Sequence, residues 1–237
     1  MTEALDPSSL SALGERFDLP ADVLEKLRRF GALLATDEFA PTTVREPQRV
    51  HDDHLADSLV ALDLELVRSA ERIADLGSGA GVPGIPLALA LPNARVTLLE
   101  GNRRKCDFMR RAVSELSLPN VEIVHGRAET WREGLGAMDL VTARALAPPE
   151  VVAEYAAPLL RHDGALVAWC GLLDPGSEAA LNTAADVLGM AVRELRKVQP
   201  YPSATNRYLQ VVVKVAETPE RFPRRDGVAR KRPLGRS

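Results

Sequence analysis

Apolar positions along the chain follow two rhythms, and the change comes near residue 70. Before it, spacings of three and four dominate, as on the buried stripe of a helix. Asp6-Pro7 offers a cap and a first-turn proline to SSLSALGERF. Leu24, Leu27, Gly31 and Leu34 keep helical spacing after Pro20, and Leu55, Leu59, Leu62 and Leu66 mark a third helix beyond the connector EFAPTTVREP. After residue 70, the short apolar runs RIADL, ARVTLLE, VEIVHG, MDLVTARA and GALVAWC read as strands. Helical stretches lie between them, near 84–91, 102–117, 149–160 and 176–188. This alternation predicts an α/β fold, a mostly parallel sheet covered by helices on both faces. VRELRKVQPY and RYLQVVVKVA follow one another without a helix and predict a terminal hairpin that adds one antiparallel strand. Three parts result: a helical extension over 1–70, the α/β domain over 71–216 and a tail over 217–237.

The stretch ADLGSGAGVPGIP, residues 74–86, contains two readings. From Gly79 it spells G-x-G-x-x-G, the dinucleotide fingerprint. From Gly77 it spells G-x-G-x-G, and this frame begins where the strand RIADL stops. Glycines there let the backbone pass close under a ligand. A pyrophosphate at this turn would use a helix N-terminus. Asp75 repels such a group, and Pro83 and Pro86 remove amide donors, so a cationic ligand end fits better. S-adenosylmethionine has one, with its ammonium and sulfonium centres and no phosphate. Glu100, 25 residues after Asp75, closes the next strand where a carboxylate can take both ribose hydroxyls. That feature is shared with nicotinamide enzymes. Tight turns alone also use glycines, but strand, loop, helix, strand and acid all stand in order here.

Composition narrows the class further. The 237 residues, 46% hydrophobic and 27% charged, suit one large α/β domain of a soluble protein. Two cysteines, Cys106 and Cys170, are too few for a disulfide framework and point to a reducing, cytoplasmic setting. MTEALDPSS lacks a signal-peptide pattern, and no apolar run approaches the roughly 20 residues that cross a bilayer. The net charge of −3 conceals a tail, 221–237, with seven Arg or Lys against one Asp. An acidic body with a basic end suits a polyanionic partner touched at one place, or a solvated tail that only aids solubility.

The chain resembles the 16S rRNA methyltransferase G family, also called glucose-inhibited division protein B. The pieces that carry the resemblance are VREP, HDDHLADSLVAL, IADLGSGAGVPGIPLAL, VTLLEGNRRKCDFMRRAVSEL, VEIVHGRAE, TARAL and RFPRRDGVARKRPL, spanning about 40–237. The resemblance implies a Rossmann-like methyltransferase fold with a helical N-terminal extension. It also implies methyl transfer from S-adenosylmethionine to N7 of one guanine in small-subunit ribosomal RNA, free or within a ribosomal particle. By motif, Gly77 and Val82 of the loop line the donor, and Asp75 and Gly79 of the same loop are expected to bind it with them. Ala128 and Glu129 frame its adenine, Glu100 its ribose, and Arg144 borders the reaction centre. Two departures stand out: FAPTTV where the family often has Asn-Leu-Thr, and Cys170 where a lysine usually precedes the glycine after the fifth strand.

Two other functions compete. Pyrimidine C5 methylation needs a cysteine nucleophile, and Cys170 ends a strand where α/β sheets place functional groups. Cys106, near Met109 and Val113 on a helix, reads as core packing. A non-catalytic RNA-binding or assembly factor on a degenerate fold is the third reading, opposed by the intact donor loop. His51 and His54 are too isolated from other ligand types to suggest a metal. ARALAPPE lacks the Asn-Pro-Pro-Tyr-like turn of amide-nitrogen methylation. NRRKCDFMRR reads mostly as an ordinary solvated helix face.

Overall fold

The computed structural model describes residues 7–236. Its helical extension comprises α1 (Pro7–Phe17), α2 (Ala21–Thr36), α3 (Pro47–Val50), α4 (Asp57–Leu59) and α5 (Glu65–Arg68). Asp6, the expected cap of the first helix, lies outside the described residues. The expected single third helix is broken instead: a π-helical turn, His51–Ala56, joins α3 to α4, and a 3-10 turn, Val60–Asp63, follows. Leu55, Leu59 and Leu62 are buried as their spacing implies, whereas Leu66 is half-exposed and Leu64 and Val67 take the buried positions. The wider π turn brings His51 and His54 to the buried side.

Seven strands follow: β1 (Arg72–Leu76), β2 (Arg95–Glu100), β3 (Val121–His125), β4 (Met138–Arg144), β5 (Leu160–Cys170), β6 (Met190–Val198) and β7 (Arg207–Lys214). Their order in the sheet is β3-β2-β1-β4-β5-β7-β6. β1 to β5 run parallel, and β7 is antiparallel to both β5 and β6. The hairpin thus adds the one antiparallel strand its sequence predicts. The interleaved helices are α6 (Gly84–Ala90), α7 (Arg103–Glu115), α8 (Pro149–Ala156) and α9 (Pro175–Leu188), with α10 (Val228–Lys231) in the tail. Local signals set their ends. Asn102 accepts from the amides of Arg104 and Lys105 to start α7, and Asp174 from Gly176 and Ser177 to start α9.

Alternate residues of each strand enter two cores. Ile73, Val96, Leu98, Leu140 and Val167 pack with the helical extension, α6 and α7. Ala74, Leu99, Val141, Leu166 and Val212 pack with α8 and α9. The tail also enters this second core, through Phe222 and Ala229. Among the described residues, no helix is long and apolar enough to cross a membrane.

Candidate active site

The sheet order reverses between β1 and β4, and a crevice opens there at the C-terminal ends of the strands. A cavity of about 560 Å³ fills this position, within the usual range for a small-molecule site. Of the residues expected from sequence to bind the donor, Gly77, Glu100, Ala128 and Glu129 line it. Leu146, Lys105, Tyr155 and Arg230 line it as well, none of them singled out by the sequence.

The glycine loop keeps its amides for itself. Gly77 and Ser78 donate to the Leu99 carbonyl, at 2.8 and 3.3 Å, and Gly81 and Val82 to the Ser78 carbonyl, at 2.7 and 3.1 Å. Gly79 N–H donates to Glu100 Oε2 at 3.0 Å, and Gly84 N–H to Asp75 Oδ2 at 3.2 Å. A pyrophosphate needs such groups free. Their internal use disfavours a dinucleotide and leaves Glu100 and Glu129 as the acidic groups of the cleft. Gly77 sits at φ +67°, where a Cβ would also approach Leu146 Cδ1 to 2.6 Å.

Asp75 is placed beneath the loop and outside the cavity lining. It is fully buried, Oδ1 accepting from Thr142 Oγ1 at 3.0 Å across the β1–β4 pair and Oδ2 from the first amide of α6. Burial pushes its carboxyl up to about 6, against the hydrogen bonds from Thr142, Ser78 and Gly84. Its place in the structure is to join the loop, α6 and β4. Val82 likewise turns away from the cavity, packing against the core shared with the helical extension. Gly79 meets the cleft only indirectly, through its bond to Glu100.

Glu100 spans the two halves of the site. Its Oε2 holds Gly79 and its Oε1 accepts from Asn102 N–H at 2.8 Å, which fixes both oxygens at the rim. Each carboxylate oxygen can accept a further bond, so two hydroxyls of a ribose can still be taken. Glu129 Oε1 accepts from Gly227 N–H at 3.2 Å, a partner from the tail.

Arg144 ends β4 and faces the helical extension instead of lining the cavity. Its Nη1 donates to the Asp53 carbonyl at 2.7 Å and to Asp57 Oδ2 at 2.8 Å, and Nη2 lies 3.4 Å from His54 Nδ1. Burial first, then the Arg144 charge, pushes His54 down to about 4, so its ring is neutral at pH 7. A neutral ring that accepts at Nδ1 donates from Nε2, and Thr42 Oγ1 is 2.9 Å from that nitrogen. Burial raises the Asp57 carboxyl, and Arg144 opposes the rise. Arg207 of β7 closes the cluster, its Nε 3.5 Å from Asp57 Oδ1. The segment HDDHLADS carried this cluster in the sequence, but residues 54, 57, 144 and 207 are too far apart in the chain for spacing to join them.

Cys170 lies outside the cavity lining, beside the Tyr208 carbonyl at 3.8 Å. Burial pushes its thiol up to about 11, so thiolate is scarce at neutral pH. Cys106 is fully buried in α7, as expected for core packing.

The model of a family described as rRNA small subunit methyltransferase G matches residues 24–202. The chain belongs to the rRNA small subunit methyltransferase G family. A relative from Rubrobacter xylanophilus, named ribosomal RNA small subunit methyltransferase G, is 42% identical over 219 residues, 89% of this chain and 84% of its own length. One of the same name from Chloroflexus aggregans is 39% identical, covering 85% of each chain. Among solved structures, a precorrin-6y C5,15-methyltransferase from Geobacter metallireducens aligns with a TM-score of 0.53 at 19% identity. It covers 77% of this chain and 96% of that one. An O-methyltransferase family protein from Burkholderia thailandensis gives 0.51 at 18%, covering 86% and 63%. At these identities the two structures speak for the fold alone, and that fold is the Rossmann-like methyltransferase fold. As a member of the methyltransferase G family, the chain uses S-adenosylmethionine as methyl donor, and a cleft whose loop amides are bonded internally and whose rim carries Glu100 and Glu129 fits that ligand.

Proposed function

We propose that the protein methylates N7 of a guanine in 16S ribosomal RNA, acting in the cytoplasm on free small-subunit RNA or on a ribosomal particle. The observation that carries this reading is the intact donor cleft, with its loop amides bonded internally, in a chain whose relatives bear the name ribosomal RNA small subunit methyltransferase G. Bound S-adenosylmethionine supplies an electrophilic methyl group on a sulfonium sulfur. Guanine N7 carries an exposed lone pair and no proton at neutral pH, so the chain needs no general base and no covalent intermediate. Its task is to hold the reacting atoms in line, about 3–3.5 Å apart.

The cavity lining supports the residue roles that the family resemblance implies for Gly77, Glu100, Ala128 and Glu129. Gly77 lets the methionine end pass close to the backbone, Glu100 takes the ribose, and Ala128 with Glu129 frames the adenine. Asp75, Gly79 and Val82 shape the loop from behind. Arg144 is the candidate for orienting the guanine. The two contacts at Nη1 and the approach of Nη2 to His54 occupy three of its five N–H donors, and the others suit the O6 acceptor. A bidentate grip on O6 and N7 together would block the nucleophile. The base is unstacked from its neighbours before its N7 reaches the donor methyl.

The test is methyl transfer from tritiated S-adenosylmethionine to 16S RNA isolated from cells that lack this enzyme, offered both free and as assembled particles. Label in the 16S RNA of at least one substrate is expected. No incorporation into either would contradict the reading.

A further inference from the structure

Two buried carboxylates of α8 find their cations in the C-terminal segment. Glu154, 2% exposed, takes the Arg224 guanidinium in a fork, with Nε 2.6 Å from Oε1 and Nη2 on Oε2. Glu150, 0% exposed, lies 2.6 Å from Arg236 Nε. Phe222 and Ala229, both buried, add apolar anchors in the same core. Solvated basic tails keep their charges in water. This one is packed onto α8, and three of its seven cationic residues, Arg224, Arg230 and Arg236, hold groups of the protein.

The packed segment reaches the donor cleft at three points. Gly227 N–H donates to Glu129 Oε1 at 3.2 Å. Asp226 pairs with Arg127, just before Ala128, at 2.8 Å. Arg230 Nη2 donates to the Leu146 carbonyl at 2.8 Å, and its side chain lines the cavity together with Tyr155. Leu146 links the segment to the glycine loop: its side chain lies where a Cβ at Gly77 would fall, and its carbonyl holds Arg230.

We propose that residues 224–230 wall the nucleobase end of the donor site, and that Arg230 is a donor-binding residue whose guanidinium packs against the flat heteroaromatic ring. The inference rests on the donor reading above and deepens it. A fixed guanidinium would repel the sulfonium and ammonium of the ligand, so it belongs at the end that carries neither. Delocalised and weakly hydrated, it suits the face of an uncharged ring. The segment also sets Glu129 through the Gly227 amide, so the acid expected at the adenine edge is aimed by residues beyond the family model's end at 202.

The experiment is calorimetric titration of the full chain with S-adenosylhomocysteine and with 5′-methylthioadenosine, which lacks the amino-acid end. Arg230 is exposed, and Arg230→Ala should leave the thermal midpoint of the ligand-free protein within a few degrees. The expected result is a loss of about fivefold to tenfold in affinity for both ligands by the same factor, with Arg230→Lys recovering only part of it. Unchanged affinity for both would overturn the proposal. So would a loss confined to S-adenosylhomocysteine, which would put Arg230 at the carboxylate instead. Failure of the unsubstituted protein to bind either ligand would strike the donor reading itself, a different result from a variant that binds as well as the parent.

Discussion

The Asp57 carboxylate lies 2.8 Å from the Arg144 guanidinium, so one buried ion pair ties the helical extension to the end of β4. Their side chains are only 8% and 15% exposed, and Arg207 at 3.5 Å is the other cation near Asp57. Arg144→Ala leaves a buried carboxylate with that one distant partner. Urea denaturation should show a loss of about 3 kcal/mol. Methyl transfer should fall roughly 100-fold or more, since the group proposed to orient the guanine and the alignment of the extension are lost together. A variant with unchanged stability and rate would remove the cluster from both roles.

Gly77 carries the second prediction. Gly77→Val puts a β-branched residue at φ +67° and drives Cβ into Leu146. The backbone strain costs about 1–3 kcal/mol, which a protein of this size withstands. The folded variant should show no measurable heat with S-adenosylmethionine. Parental affinity in a folded Gly77→Val protein would take this loop out of the donor site.

Much of this was legible because the decisive signals are local. A strand that stops at Leu76, glycines that follow at once and an acid at the end of the next strand place the cleft without knowledge of the rest. Asp75 and Val82 were harder to place, because sequence order does not say which side of a turn a side chain takes. The carboxylate of Asp75 is drawn inward by Thr142, a residue of the neighbouring strand 67 positions away. The leucines of the third helix keep α spacing even where the backbone widens to a π turn, so the break was silent. The tail was legible as charge and as a matching motif, but not as a packed segment. Its partners, Glu150 and Glu154, look in sequence like an ordinary polar face of α8, and their burial appears only when the tail covers them.

The buried Asp75 predicts a pH signature. Its carboxyl is raised from 3.8 to about 6 in the folded protein, so the stability it contributes is full below about pH 3.8 and is lost as pH rises through 6. Asp75→Asn removes that titration. The difference in unfolding free energy, parent minus variant, should fall by about 3 kcal/mol between pH 3.5 and 7.5, read from urea curves across that range. Parallel pH profiles would show that Asp75 keeps an ordinary carboxyl.

Four exposed cations of the tail, Arg221, Arg225, Lys231 and Arg232, remain for RNA. Replacing all four by alanine should weaken binding of small-subunit RNA. It should also flatten the plot of log affinity against log salt by about three units, near 0.7 per lost phosphate contact. An identical slope would confine the tail to its work inside the protein.

Guanine N7 and pyrimidine C5 methylation leave different nucleosides. Small-subunit RNA from cells lacking the enzyme is treated with the protein and methyl-deuterated S-adenosylmethionine, digested to nucleosides and read by mass spectrometry. Label is expected in 7-methylguanosine, and Cys170→Ser, which removes a thiol held near 11, should still form it within about tenfold of the parental rate, a barrier change of about 1.4 kcal/mol. Label in 5-methylcytidine, with a Cys170→Ser protein that forms none, would contradict it.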